Sequence, residues 1–341
     1  MTPDRSPILI VPYMWIGDFV RCHSAVKLLR EQHPDRPIDI LSSSLCAPLV
    51  DYMPGVRDAV VFDLPRGSVP LSRYRALAER LRAGQYGQAI VMLRTWKSAL
   101  APWLAGIPTR TGFLGEMRFG LINDMRHGER ALPRMIDRMG ALTLPAGAPQ
   151  PAQWPMPELR VPPEEIARWR TANGLTHDKR RVVALAPGAV GPGKAWPVAH
   201  YASLARALAD GHAIWVLGGP NEKQAAAEIV ATAGDAARDL TGNDLRNAVV
   251  ALAAADAAVA NDSGLMHIAA AIGTPTIAIF GPSSPTHWAP LNPLAAILEP
   301  PGDEDKERAR HEGNAAIAHR RTADVTVETV LDATRRAMTS A

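Results

Sequence analysis

The sequence predicts an α/β protein of two doubly wound domains, and three observations carry the prediction. Short β-branched runs alternate with helical periodicity along most of the chain, the pattern of a parallel sheet with helices on both faces. The alternation stops once, where Pro145, Pro149, Pro151, Pro155, Pro157, Pro162 and Pro163 crowd one segment, and then restarts. That density continues neither a helix nor a central strand, so a domain boundary is placed there, with domains of residues 1–160 and 161–341. The length of 341 residues is too great for one typical core and comfortable for two.

In the first half, strands are read at Ile8–Val11, Ile38–Leu41, Ala59–Phe62 and Ala89–Leu93. Phe19, Cys22, Val26 and Leu29 recur at helical spacing after the first strand, and further helices are read near Leu45–Tyr52 and Tyr74–Ala83. In the second half, strands fall at Val182–Ala186, Ile214–Leu217, Ala257–Ala260 and Thr276–Phe280. Helices fall at Val198–Ala209, Glu222–Ala233, Leu245–Ala254 and Gly264–Ile272. The expectation is two such domains facing each other across a cleft.

Composition removes several classes of function. Two cysteines cannot make a disulfide framework or a four-thiolate zinc site, so a reducing, cytoplasmic setting is expected. Ser263 to Leu298 holds no Asp, Glu, Lys or Arg, but prolines and glycines cut it into pieces too short for the roughly 20 residues of a membrane helix. The apolar run Pro7–Val11 is shorter than a signal-peptide core, so export is not expected. Residues 1–150 carry 19 Lys and Arg against 13 Asp and Glu, whereas residues 151–341 carry 18 against 21. The basic first half suits an anionic partner, and no aromatic-interleaved basic run points to nucleic acid.

In open parallel sheets ligands bind beyond the carboxyl ends of the strands, so each strand–loop–helix junction is a candidate. After the first strand, Gly17 lets the chain turn and Asp18 opens a helix. A carboxylate there serves either as a general base on a hydroxyl or as a helix cap. Gly188 to Lys194 has the G-x-x-x-x-G-K form of a P-loop, but Ala195 stands where that motif holds a magnesium-binding hydroxyl. Gly188, Gly193 and Lys194 still suit phosphate, since backbone N–H groups and an ammonium converge there. Glu222, after Gly218-Gly219, offers two acceptor oxygens to a ribose or else stabilises its helix start. In Asn261-Asp262-Ser263-Gly264-Leu265, the N–H groups of Gly264 and Leu265 suit phosphate or sugar, and Asp262 suits hydroxyls. His267 is read as a core histidine or a ligand. Asp303-Glu304-Asp305 has a metal-binding form within an alternating charged run, and no required metal or cofactor is expected.

Val11–Val20, Arg94–Asp124, Pro187–Pro197 and Asn261–Pro285 together resemble glycosyltransferase family 9, the ADP-heptose:lipopolysaccharide heptosyltransferases. The resemblance spans essentially the whole chain, and its KSAL, AGIP, RTG, GEMR and ND elements are specific. It implies a GT-B fold, ADP-heptose on the second domain and a lipid A–Kdo inner-core acceptor on the first. The implied reaction moves L-glycero-D-manno-heptose to the first heptose of that acceptor with inversion, at the cytoplasmic face of the inner membrane and in peripheral contact with it. By the same resemblance Asp18 is the base, Lys194 neutralises the departing ADP, Glu222 holds ribose, and Asp262, Ser263, Gly264 and His267 hold phosphate and sugar. Gly17, Arg57, Arg66 and Arg118 would meet the anionic acceptor. The chain departs from the family's pattern in a glycine loop one residue shorter and lacking its Glu, and in Ala195 where Arg is usual. The competing expectations are a related sugar transferase with another acceptor, a P-loop-like nucleotide hydrolase, and a nucleotide-sugar-binding protein without turnover.

Overall fold

The computed structural model describes residues 4–63, 69–302 and 317–340, and the chain divides within the proline-rich segment into two compact units, residues 1–158 and 159–341. In the first unit, β1 (Ile8–Val11) leads into α1 (Ile16–Arg21) and α2 (His23–Gln32), then β2 (Ile38–Ser42), α3 (Ala47–Val50) and β3 (Asp58–Val61). After α4 (Leu71–Ala83) come β4 (Gln88–Val91), α5 (Trp96–Leu104), β5 (Thr109–Phe113), β6 (Asp124–Arg126) and α6 (Met135–Ala141). All six strands are parallel, in the order β3-β2-β1-β4-β5-β6. β1 and β4 lie in the middle with Ile8 opposite Gln88 and Val11 opposite Val91, and β1 is buried along its whole length. Both sheet faces are covered by helices, which is why the central strands read as unbroken apolar runs.

The first unit differs from the sequence reading at its first helix. The single helix expected across Phe19–Leu29 is two helices, turned at Cys22, whose carbonyl accepts from both Ala25 and Val26. The turn sends His23 and Ser24 toward the proline-rich segment. Ser24 donates to the Pro155 carbonyl at 2.6 Å, and His23 accepts from the Glu158 N–H at 2.9 Å through Nδ1. Its Nε2 therefore carries the proton that reaches the Pro54 carbonyl, 2.8 Å away. The proline-rich segment is thus packed chain: Trp154 donates to Asp137 at 2.8 Å and lies so close to Gly140 that a Cβ there would meet its ring at 2.3 Å.

The second unit begins with α7 (Pro163–Ala172), where the last proline supplies the first helical residue. Then follow β7 (Arg181–Ala186), α8 (Val198–Leu208), β8 (His212–Val216), α9 (Lys223–Ala233), β9 (Ala237–Asp239) and α10 (Leu245–Ala254). β10 (Ala257–Asn261), α11 (Gly264–Ile272), β11 (Thr276–Ile279), α12 (Pro285–Trp288), β12 (Ala295–Leu298) and a closing helix, Val327–Ser340, complete it. Its sheet is also parallel, in the order β12-β11-β10-β7-β8-β9. Both units therefore have the dinucleotide-fold strand order, with the reversal at β1/β4 in one and β7/β10 in the other, so the expected pair of Rossmann-like folds is observed.

Candidate active site

In the first unit Asp18 lies beyond the carboxyl end of β1, at the reversal point of the strand order. It is the third residue of α1; the N-cap is Trp15, and no side chain caps the helix. The capping role open to Asp18 in the sequence is therefore not the one it has. Its side chain is 12% exposed, and the buried Arg21 donates to its Oδ1 at 3.4 Å, fixing one face of the carboxylate. Gly17 precedes it inside the same turn.

Tyr13, in the loop that leads to Asp18, escaped the sequence reading. Burial pushes its phenol above the ordinary range, and the charges of Glu129 and Asp18 push the same way, so it stands as a neutral hydroxyl beside the carboxylate. Glu129 follows β6 and pairs with Arg94, which follows β4, at 3.0 Å. Tyr13, Asp18, Arg94 and Glu129 thus share the carboxyl end of one sheet although 116 positions separate the first from the last. Nothing short-range in the sequence signals that grouping. The two thiols are core groups: Cys22 and Cys46 are free and fully buried, and burial pushes both upward.

Two of the arginines expected at the acceptor, Arg57 and Arg118, hold parts of the first unit's own fold. Arg57 precedes β3 at the amino end of the sheet, away from Asp18, and grips the buried Asp39 with Nε at 2.8 Å and Nη2 at 2.5 Å. The Tyr86 hydroxyl joins the same carboxylate at 2.5 Å, and the group lines a cavity of about 370 Å³ at that end. Arg118 is at the carboxyl end but only 1% exposed, and its guanidinium is turned inward on the carbonyls of Leu93 and Phe113. Arg66 lies outside the described residues, as do Asp303, Glu304 and Asp305.

In the second unit the reversal point lies between the loop after β7 and the loop after β10. Lys194 Nζ stands 2.6 Å from Asp262 Oδ2, with Asp262 8% exposed and Lys194 30%. Asn261, missed in the sequence reading and fully buried, ties the two loops together. Its amide donates to the Pro187 carbonyl at 2.7 Å, and its Oδ1 accepts from the Trp196 N–H at 3.0 Å and the Tyr201 hydroxyl at 3.1 Å. Trp196 is buried against Tyr201 and donates to the Val325 carbonyl at 2.8 Å, while Thr322 donates to the Ala195 carbonyl at 2.8 Å. The loop is therefore clamped on both sides of Lys194. Gly193 sits at φ +71°, a left-handed conformation that glycine adopts without a Cβ clash.

Ala195, Trp196 and Pro197 separate Lys194 from α8, whose N-cap is Pro197. A P-loop lysine enters the helix directly, so the nucleotide-hydrolase reading loses its structural basis here. Glu222 accepts from the Gly219 N–H at 2.7 Å, and a Cβ on Gly188 would come within 2.9 Å of its carboxylate. The glycine loop and Glu222 are thus brought together, and Gly188 is the residue that makes room for the acid. Ser263 holds the N-cap position of α11, yet its hydroxyl caps nothing and is buried without a partner. Gly264 and Leu265 open that helix, and His267 lies on its buried face. Among the described residues no group of three or more His, Cys, Asp or Glu could hold a metal ion.

Residues 74–316 match the model of glycosyltransferase family 9 (heptosyltransferase). The lipopolysaccharide heptosyltransferase 2 of Escherichia coli strain K12 is 37% identical over 95% of this chain and 96% of its own length. The lipooligosaccharide heptosyltransferase 2 of Haemophilus ducreyi is 38% identical over 85% of this chain and 88% of its own. The solved structure of the E. coli ADP-heptose lipopolysaccharide heptosyltransferase II superposes with a TM-score of 0.85 at 34% identity, covering 98% of this chain and 99% of that one.

Proposed function

This chain belongs to glycosyltransferase family 9, the heptosyltransferases, with the two-domain α/β fold of the GT-B type, and from that premise we propose that it moves L-glycero-D-manno-heptose from ADP-heptose to the first heptose of the lipopolysaccharide inner core. The observation that carries this reading is the equipment of the two reversal points. One holds a shielded carboxylate, and the other a lysine clamped beside a glycine loop and an acid.

In the proposed reaction Asp18 takes the proton of the acceptor hydroxyl as that oxygen attacks the anomeric carbon from the face opposite the diphosphate, so the centre inverts. Negative charge then builds on the departing ADP. Lys194 and the N–H groups of Gly264 and Leu265 stabilise it, the lysine turning from Asp262 to the diphosphate. Asp262, relieved of its ion pair, accepts from heptose hydroxyls. Glu222 faces the ribose across Gly188. Arg94, exposed at the carboxyl end of the first sheet and paired with Glu129, would meet the anionic acceptor in place of Arg57 and Arg118.

The lipid-linked acceptor places the enzyme at the cytoplasmic face of the inner membrane, in peripheral contact; no helix among the described residues is long and apolar enough to cross a bilayer. The deciding experiment is heptose transfer from ADP-heptose to a purified inner-core acceptor bearing one heptose, with and without EDTA. Metal-independent transfer supports the reading. Binding of ADP-heptose without transfer to that acceptor overturns it in favour of another acceptor or of a binding protein.

A further inference from the structure

Between β5 and β6 the chain runs through Leu114, Gly115, Glu116, Met117, Arg118, Phe119 and Gly120 at the carboxyl end of the first sheet, the end that carries Asp18. Met117 is 88% exposed and Phe119 72%, with Leu114 at 42% and, in the loop after β1 at the same sheet end, Trp15 at 57%. Single exposed apolar residues are ordinary on a monomer. Two such side chains on either side of a fully buried arginine are not, because the arrangement is disfavoured twice: a guanidinium is taken out of water to hold the loop, and the residues beside it face water.

The loop is also firmly built. Leu114 N–H donates to the Arg126 carbonyl at 2.8 Å, and Glu116 N–H to the Arg94 carbonyl at 3.0 Å. Arg118 binds the carbonyls of Leu93 and Phe113 and accepts from Leu121 and Ile122 at 3.1 Å. Arg110 closes the far side with bonds to the Leu121 carbonyl at 2.7 Å and the Gly120 carbonyl at 3.3 Å. Gly115 permits the contact, since a Cβ there would meet the Arg94 carbonyl oxygen at 2.2 Å. Met117 and Phe119 are thereby held outward by a rigid base.

We propose that this loop is the part of the enzyme that enters a lipid surface, with Met117 and Phe119 in the interfacial zone of an anionic bilayer. The inference rests on the lipid-linked acceptor of the proposed function. Charge favours this occupant over an apolar protein face. Arg130 is exposed and Lys97 partly so at the same end, where Arg94 is paired with Glu129, against Glu116 in the loop itself, and residues 1–150 carry the basic excess of the chain. Aromatic and long apolar side chains flanked by cations are the composition of an interfacial anchor. An enzyme seated this way holds Asp18 near the headgroup level, where a sugar on a short lipid-linked core emerges.

The test is flotation of the full chain with vesicles of phosphatidylethanolamine and phosphatidylglycerol, comparing the wild type with Met117→Ser/Phe119→Ser. Both side chains are exposed, so the variant is expected to keep the thermal midpoint of the wild type. Its partition onto vesicles is expected to fall about tenfold or more. Heptose transfer to a deacylated, water-soluble acceptor is expected to be equal in the two proteins. Equal flotation of both proteins, or none by the wild type, overturns the proposal. So does a variant that splits a dimer on sizing while still floating, which would assign the patch to a second copy of the chain. Absence of transfer to the soluble acceptor by the wild type would instead overturn the functional reading, and the flotation result separates the two failures.

Discussion

At the carboxyl end of the second sheet the functional side chains hold one another: Lys194 meets Asp262 at 2.6 Å, and Asn261, Thr322 and Trp196 fix the loop that carries the lysine. At the same end of the first sheet Arg118 turns inward to hold backbone, and Met117 and Phe119 on either side of it face water. The contrast teaches what each surface is built to meet. In the proposed reaction a small, charged, hydroxyl-rich donor meets polar groups already arranged for it. On our proposal a lipid surface is met by exposed apolar side chains on a firm platform, and in this chain Arg118 and Arg110 make that platform.

The comparison is broken most severely at Asp18. Asp18→Asn keeps the size and the contact with Arg21 but removes the proposed proton acceptor, so the rate of transfer is expected to fall roughly 10²–10⁴-fold with donor affinity intact. A loss in donor binding of similar size would move Asp18 to the other side of the comparison. Steady-state transfer and ADP titration together decide. Next is Lys194→Met, which on the proposed role removes the stabilising charge from the leaving diphosphate and should lower kcat by about 10²–10³-fold. ADP affinity should fall with it, unlike in Asp18→Asn.

Arg118→Met tests the platform. It leaves the carbonyls of Leu93 and Phe113 without their donor, and unfolding in urea should show a loss of about 2–4 kcal/mol. Arg118→Lys should recover little of it, because a single ammonium does not reproduce a planar fork spanning two carbonyls. An Arg118→Met protein of unchanged stability whose acceptor KM rises would restore the acceptor contact that the sequence suggests. A smaller effect separates the units by pH. Burial of Asp137 opposes its charge, but bonds from Arg134 and Trp154 outweigh that and hold its carboxyl below the ordinary range. A depressed carboxyl stabilises the fold above its unfolded value and loses that contribution as pH falls through the folded one, so the loss belongs below about pH 4. Asp137→Asn should flatten stability against pH in that acid range, read by thermal midpoints.

The sequence showed most where chemistry is local. The central strands were legible as apolar runs, and Gly188, Gly193, Lys194, Glu222, Asp262 and Ser263 cluster within two loops and one turn that adjoin strand ends. What stayed hidden depends on distance or on weak local signal. β6 and β9 are three residues each, β5 is Thr-Arg-Thr-Gly-Phe, and α5 carries Pro102 inside, so none shows a clean periodicity. Arg57 and Arg118 look like any exposed arginine until Asp39 and two carbonyls are found beside them. Tyr13 and Glu129 meet only because the sheet brings β1 and β6 to one end.

The mildest prediction concerns a hydroxyl beside the lysine loop that the clamped arrangement leaves over. Ser263 stands where a serine ordinarily caps a helix, but its Oγ is buried and bonds nothing, whereas every neighbour that fixes the loop is satisfied. A buried hydroxyl without a partner gives the free enzyme nothing, so Ser263→Ala should leave its stability unchanged or slightly higher. A capping serine would instead lose about 1 kcal/mol. The same hydroxyl becomes useful once a phosphate or sugar oxygen fills the gap, so donor affinity should fall by roughly five- to tenfold, the equivalent of one neutral hydrogen bond. Urea unfolding of the free protein and ADP-heptose titration read the two halves separately. A variant that loses stability without losing affinity would make Ser263 a scaffold residue like Arg118, and the contrast between the two sheets would narrow.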